Sequence, residues 1–188
     1  MKSLPRAVAI VSALTLALVI VRNASQAQNA DSQGTAAAKQ PEDSTPFVTE
    51  IPEGYRDWKL ISVAREEGSI DDIRAVLGND IAIKAYREGA TQPFPDGAII
   101  VRLAWSLVSS EENNKAFGRE QSFVAGAPKN GVQFMIKDAK KYAATGGWGY
   151  GQFDNDSGKT VERAKLATCY PCHQAIEARD YVFTHYAR

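Results

Sequence analysis

The chain has 188 residues, with 22 basic and 22 acidic side chains, two histidines and two cysteines. The charges balance and form no basic stripe, so the composition argues against a protein that binds nucleic acid or an anionic membrane surface. We find no internal repeat, and the chain is long enough for one domain with a proper core.

Residues 1–27 have the pattern of a secretory signal peptide. Two cations precede an apolar run of about 15 residues, Ala7–Val21, and the sequence from Ser25 to Ala27 resembles an A-x-A cleavage site. A retained membrane anchor is the alternative, but the run is shorter than the ~20 residues that a membrane-spanning helix needs. Cleavage after Ala27 would remove three cations and no acids and leave a net charge of about −3.

Residues 28–46 are rich in alanine, glutamine, serine, aspartate and proline, and contain almost nothing that could be buried. They are predicted to form a flexible leader. The folded domain is predicted to span residues 47–188.

The first half of this domain is predicted to contain a strand, an ambiguous segment and a helix. Trp58–Val63 has the composition of a strand. Ile73–Leu77 fits either state, because a capping box precedes it while its β-branched residues favour a strand. A helix is predicted over Asp80–Glu88, with Asn79 as its N-cap and Gly89 as its stop.

The second half continues the β-rich pattern. An Asp-Gly turn leads into Ala98–Trp105, the strongest strand signal in the chain. The other predicted elements are, in order, the strand Gly131–Ile136, the short helix Asp138–Ala144, the glycine-rich strand Gly147–Phe153 and the helix Ala167–Glu177. The predicted fold class is therefore α+β.

The last of these helices contains Cys169-Tyr-Pro-Cys172-His173, the Cys-x-x-Cys-His pentad through which haem is attached covalently in c-type cytochromes. On one helical turn the two cysteines share a face, so their sulfurs can form thioethers with the two vinyl groups of a haem. His173 is then placed to bind the iron from the proximal side. The pentad predicts one haem c, attached at Cys169 and Cys172 and ligated by His173.

Two other interpretations of the pentad are a redox dithiol and half of a zinc site. A zinc site would need a second ligand pair, whereas the only other histidine is His185. A thioredoxin-like dithiol would need a βαβ context, which the predicted elements do not provide. Because haem is attached to c-type cytochromes outside the cytoplasm, the pentad and the signal peptide both predict the periplasm.

The position of the pentad excludes the two commonest c-type architectures. Small electron-transfer cytochromes carry it near the N-terminus with a methionine ligand well downstream, but here only 15 residues follow it and none is methionine. Four-helix cytochromes c′ would show long apolar stripes of helical period, which this chain lacks. The remaining option is a haem on a β-rich scaffold.

Several segments of the domain, over about residues 54–185, together resemble the cytochrome P-460 family. They are Tyr55-Arg-Asp-Trp58-Lys-Leu, Phe94-Pro-Asp-Gly97 followed by Val101-Arg-Leu, Val132-Gln-Phe-Met-Ile-Lys-Asp-Ala-Lys-Lys-Tyr142, Gly147-Trp-Gly149, the pentad, and Asp180-Tyr-Val-Phe-Thr184. The resemblance implies a mostly antiparallel β-sheet with a few flanking helices, one c-type haem near the C-terminus and usually a homodimer. It also implies a strand at Ile73–Leu77, followed by a helix.

The resemblance implies one of two activities. Cytochromes P-460 proper oxidise hydroxylamine and carry a lysine linked to a meso carbon of the haem, whereas the related cytochromes c′-β bind nitric oxide and similar gases without that link. Arg102 stands where the resemblance places the cross-linking lysine. Because a guanidinium stays protonated and is a poor nucleophile, the cross-link and a hydroxylamine oxidoreductase activity are both in doubt.

Arg102 is instead expected to pair with a haem propionate or to point a donor into the pocket. A plain exposed strand arginine is the alternative. Lys84 could in principle supply the link, but it lies on the predicted helix.

The second axial position of the iron is predicted to be vacant. Met135, the only methionine after the signal peptide, lies on an alternating strand and is expected in the core. His185 follows His173 closely and is expected at the surface. The iron is therefore expected to be five-coordinate, with the open position that small-molecule chemistry needs.

Three aromatics and one acid are candidates for lining the open position. Phe94, Phe134 and Phe153 are candidates for an apolar cap, although aromatics at strand spacing more often form core. Glu162 precedes the pentad in the region where hydroxylamine-oxidising relatives can place an acid. Such a carboxylate could take protons from hydroxylamine if burial raised its pKa. An ordinary solvated helix residue is the alternative.

Two functions are open at this point. The first is a periplasmic haem protein that binds or transforms small nitrogen oxides, nitric oxide above all, with or without turnover of hydroxylamine. The second is an electron-transfer cytochrome whose six-coordinate haem exchanges electrons with a soluble redox partner. The vacant position and the resemblance favour the first.

Overall fold

The computed structural model of the chain describes residues 46–187. The predicted signal peptide, residues 1–27, lies outside the described residues, as does the predicted leader, residues 28–46, apart from Pro46. Among the helices of the described part, none has the length and apolar character needed to cross a membrane.

The described chain folds into an antiparallel β-sheet with helices beside it, which confirms the α+β prediction. The strands are β1 (Lys59–Glu66), β2 (Asp72–Gly78), β3 (Ile99–Ser109), β4 (Phe123–Pro128), β5 (Val132–Lys137) and β6 (Trp148–Phe153). The α-helices are α1 (Asp80–Glu88), α2 (Glu111–Phe117), α3 (Arg163–Leu166) and α4 (Cys169–Gln174). Short 3-10 helices cover Tyr55–Asp57, Ala143–Thr145 and Glu177–Arg179.

The strand order is β1-β2-β3-β5-β6, with β4 paired to the far end of β3. β3 is 11 residues long, so its first half can pair with β5 while its second half pairs with β4. All of these pairings are antiparallel. Arg102 consequently lies in the middle of the sheet, opposite Val76 on β2 and Gln133 on β5.

Successive side chains on a strand point to opposite faces of the sheet, and the two faces carry two separate hydrophobic clusters. The first cluster includes Phe94, Ile100, Met135, Trp148 and Tyr150, and Cys169 and Tyr170 pack against it. The second cluster consists of Val48, Val101, Leu103, Val132, Phe134 and Phe153. The segment that carries the pentad therefore packs on the face of the first cluster.

Helix α1 has the predicted bounds. The Oδ1 atom of Asn79 accepts a hydrogen bond from the main-chain nitrogen of Ala82 at 3.0 Å, and Gly89 ends the helix with a φ of 72°. Ile73–Leu77 lies inside β2, as the resemblance implied. The helix predicted over Ala167–Glu177 is present but shorter, because α4 ends at Gln174.

The helix predicted over Asp138–Ala144 is wrong. The Oδ1 atom of Asp138 accepts hydrogen bonds from the main-chain nitrogens of Lys140 and Lys141, at 3.1 and 2.8 Å, which closes a turn. An aspartate side chain that bonds to nearby backbone competes with helix formation. A 3-10 helix, Ala143–Thr145, follows.

Candidate functional site

Helix α4 carries the two thiols and the imidazole of the pentad, at Cys169, Cys172 and His173, within little more than one turn. Pro171 lies in its first turn, where a missing main-chain N–H leaves no helical hydrogen bond unmade. Cys169 is half-buried and Cys172 is exposed, and both are free thiols. Their spacing of three residues places them on one side of the helix.

The two thiols are spaced for covalent attachment to a haem, and the described strands pair antiparallel, which is not the βαβ context of a thioredoxin-like pair. Burial, with a smaller contribution from Cys172, raises the pKa of Cys169. Within residues 46–187 no three His, Cys, Asp or Glu side chains come together as a metal site. Cys169, Cys172 and His173 lie along one helix, as thioether attachment to a haem requires.

The geometry of His173 fits a single bond to iron. Its Nδ1 atom lies 2.6 Å from the main-chain oxygen of Tyr181. Since a carbonyl can only accept, Nδ1 carries the proton and Nε2 keeps its lone pair. Burial lowers the pKa of His173, and the bond to Tyr181 opposes that shift, so the ring is neutral at neutral pH. A neutral imidazole oriented through its other nitrogen is the usual form of a histidine metal ligand.

Two aromatic rings hold the imidazole from its sides. The ring centroid of Tyr150 lies 5.2 Å from that of His173, and the ring of Phe183 lies 5.1 Å away at 70°. Phe183 is 48% exposed, so it links the histidine to the surface. The hydroxyl of Tyr150 is buried and has no hydrogen-bond partner among the described residues.

A buried ion pair lies next to the residue that bonds His173. The Nζ atom of Lys137 donates to both carboxylate oxygens of Asp180, at 2.7 and 2.9 Å, and to the main-chain oxygen of Gly146 at 3.0 Å. The Oδ2 atom of Asp180 also accepts from the main-chain nitrogen of Phe94 at 2.8 Å. The Lys137–Asp180 ion pair was not predicted from the sequence, although the position of Lys137 along its strand indicates that such a pair is needed. Lys137 continues the inward-facing positions of Met135 on the predicted strand, and an inward lysine needs a buried partner.

Arg102 is held by a carboxylate and an amide on the face of the first cluster. Its Nη2 atom donates to Asp72 and its Nη1 atom donates to Gln133 Oε1 at 2.9 Å. The carboxylate of Asp72 is fully buried and also accepts from Arg74 Nε at 2.9 Å. Burial and the charge of Arg74 lower the pKa of Arg102, while Asp72 opposes the shift. The Arg102 side chain is only 15% exposed, so the alternative of a plain exposed arginine is wrong. Its pairing with a propionate stays a prediction.

Lys84 and His185, weighed as a lysine link and as a second iron ligand, are exposed, and Met135, the other possible ligand, is buried. Lys84 is exposed on α1, with its Nζ atom 4.0 Å from Glu88. Met135 is buried in the first cluster, as expected for a core residue. His185 is exposed, as expected, at the rim of a cavity of about 270 Å³ that Arg179 also lines.

The structure separates the residues proposed to line the open position. Phe94 belongs to the first cluster, but Phe134 and Phe153 belong to the second, so they lie on the other face of the sheet from the pentad. Phe134 and Phe153 are buried core residues, which is the alternative that their strand spacing favoured. Glu162 is exposed just before α3, without the burial on which its predicted proton-accepting role depends.

The comparison with protein families agrees with this geometry. A family model described as Cytochrome P460 matches residues 52–184, which include β1 to β6, the pentad, Lys137 and Asp180. A search of curated proteins found no match. Haem binding is implied by the family, and the free thiols and the neutral His173 on α4 fit it. The chain therefore belongs to the Cytochrome P460 family.

Proposed function

We propose that the chain is a periplasmic, mono-haem c-type cytochrome that binds or transforms small nitrogen oxides at an open iron position. The observation that carries this proposal is the geometry of His173, whose Nδ1 is engaged with Tyr181 at 2.6 Å beside two free thiols. A haem bound there would supply a redox-active iron with one exchangeable ligand position.

Each residue of the site has a separate task in this proposal. Cys169 and Cys172 would form the thioethers that fix the haem against α4, and His173 would bind the iron through Nε2. Tyr150 and Phe183 hold the imidazole ring between them. The first cluster packs against Cys169 and Tyr170 and would keep water from that side of α4.

The surroundings of His185 and Met135, the two possible second iron ligands, support a vacant iron position. His185 lies in a segment that is held on both sides, by a bond from Tyr86 Oη to the oxygen of Thr184 at 3.0 Å and by a bond from the nitrogen of Ala187 to the oxygen of Ile61 at 2.9 Å. Its ring is exposed. Met135 is 9% exposed and packs inside the first cluster.

Among the nitrogen oxides, nitric oxide is favoured over hydroxylamine. Arg102 cannot act as the lysine nucleophile, and its guanidinium is already bound by Asp72 and Gln133. Glu162 is exposed and so is poorly suited to take protons from a bound substrate. Both observations support a ligand-binding protein, which we propose to be a homodimer, over a hydroxylamine oxidoreductase.

One observation favours the alternative of electron transfer. The half-exposed ring of Phe183 contacts His173, and this contact offers a short path for electrons between the iron and a soluble redox partner. In the alternative the haem would be six-coordinate and would bind no exogenous ligand.

The mature protein, produced in the periplasm of a host that matures c-type cytochromes, tests the proposal. We expect an intact mass of the cleaved chain plus one haem, a high-spin ferrous spectrum and saturable binding of nitric oxide. Replacing Cys169 and Cys172 together by alanine is expected to abolish covalent haem, whereas Lys84→Ala, at an exposed position on α1, should leave it unchanged. Low-spin spectra without ligand binding would favour electron transfer, and a protein without covalent haem would contradict both functions.

The Arg102→Lys substitution tests whether this position is that of the family's cross-linking lysine. We expect no link in the single variant, because the carboxylate of Asp72 would keep a lysine at position 102 protonated. Adding Asp72→Asn removes that charge, and the double variant is expected to form the link, seen as a red-shifted ferrous band and as a haem-bearing peptide at residue 102. Absence of the link from both variants would mean that position 102 is not the cross-linking position.

A further inference from the structure

We infer that Lys137 and Asp180 are positioning residues for the proximal iron ligand. They hold the main-chain carbonyl of Tyr181 against His173, and through it they set how strongly His173 donates electrons to the iron. The inference rests on the proposed function, because it assigns a role toward an iron bound at His173 Nε2.

The pair is buried and fully bonded. The side chains of Lys137 and Asp180 are 4% and 8% exposed. Lys137 also bonds the oxygen of Gly146, and Asp180 also bonds the nitrogen of Phe94. Strand β5, the loop after it and the segment before β3 are therefore all fixed to position 180 of the chain.

The backbone at positions 180 and 181 needs such an anchor. Asp180 and Tyr181 have φ values of 50° and 64°, two successive left-handed residues that are not glycine. Each of these conformations is unfavourable for a residue with a side chain, and it persists only where the surroundings fix it. Bonds from Asp180 N to Glu177 O at 2.9 Å and from Tyr181 N to Ile176 O at 3.2 Å hold the main chain, and the ion pair holds the side chain.

This left-handed turn aims the Tyr181 carbonyl at α4. The oxygen meets His173 Nδ1 at 2.6 Å in a part-buried setting, where a hydrogen bond is electrostatically stronger than in water. A strong acceptor at Nδ1 raises the electron-donating power of Nε2. A displaced carbonyl would weaken the bond between His173 and the iron and would favour the ferrous state.

The test compares Lys137→Met with Asp180→Asn in the haem-loaded protein. If the pair acts by position, both variants loosen the turn, so the iron–histidine stretching frequency should fall in both and the reduction potential should rise in both. If the pair acts only through its charge, the potential should rise in Asp180→Asn, which removes an anion, and fall in Lys137→Met, which removes a cation. Opposite shifts, or an unchanged stretching frequency, would overturn the inference.

Two features keep this experiment decisive. Val101→Ala removes buried volume from the second cluster on the other face of the sheet, so it controls for a loss of stability and should leave the stretching frequency unchanged. Asparagine tolerates the left-handed conformation, so Asp180→Asn keeps the backbone preference at that position. If Lys137→Met does not fold, the iron–histidine stretching frequency of Asp180→Asn alone tests the inference. Failure of the proposed function would look different, since the unmodified protein would then lack covalent haem or a vacant iron position.

Discussion

Asp72→Asn is expected to lower the free energy of unfolding by about 3 kcal/mol, because it leaves two buried guanidinium groups facing a neutral amide. The carboxylate of Asp72 is fully buried; its Oδ1 atom accepts a hydrogen bond from Arg74 and its Oδ2 atom accepts one from Arg102. The two arginine side chains are 14% and 15% exposed, so water can replace the lost charge only in part.

The adjacent residue supplies a matched control for this prediction. Asp71 also pairs with an arginine, at 2.6 Å from Arg65, but its side chain is 60% exposed. Its φ of 43° is one that asparagine tolerates and its ion pair is screened by solvent, so Asp71→Asn should cost much less than Asp72→Asn. Urea unfolding of both variants at one pH measures the difference. Equal, small losses would show that the arginines regain their solvation and that the buried cluster contributes little.

Gly146→Ala is expected to destabilise the protein by roughly 3 kcal/mol and to release His173 from its acceptor. Gly146 has a φ of 67°, and a Cβ atom there would overlap the ring of Tyr181. The ring would have to move, and the carbonyl of the same residue, which bonds His173 Nδ1, would move with it. The expected result is therefore a lower iron–histidine stretching frequency together with the lower stability.

Gly89→Ala separates the two causes of that loss. Gly89 has a similar φ of 72°, but a Cβ atom there would have no neighbour within 4 Å. It should cost about 1 kcal/mol, from the left-handed backbone alone, and should leave the stretching frequency unchanged. Denaturant unfolding and resonance Raman spectra of both variants test this. The contact with Tyr181 would be unimportant if the two alanines cost the same.

The parts of the fold that could be predicted from the sequence are those with local causes. Asn79 and Gly89 define α1 because a side-chain cap and a left-handed stop act within one turn of the chain. Helix α2 and strand β4 were not predicted. Phe117 and Phe123 in them are 58% and 55% exposed, so this part of the chain has no burial pattern that could reveal its structure.

The residues of the candidate site also fall into two groups, those that are close in sequence and those that only the folded chain brings together. The pentad is contiguous, so its spacing alone predicts which groups meet. Lys137 and Asp180 are 43 residues apart, and Asp72 and Arg102 are 30 residues apart, so each pair meets only in the folded structure. Alternation predicts that Phe134 and Met135 point to opposite faces, but it does not predict on which face α4 packs.

The acceptor of His173 belongs to the peptide backbone, and this has a consequence for how the protein tolerates mutation. Every amino acid at position 181 carries the same carbonyl, so the bond would survive many replacements of the tyrosine side chain that leave the turn intact. Given the inferred role of the ion pair and the packing of Gly146 against Tyr181, the positions that would control electron donation to the iron are 137, 146 and 180. A mutational scan restricted to side chains that touch the imidazole of His173 would miss most of these positions. The reduction potential could then change during evolution through substitutions that do not contact His173.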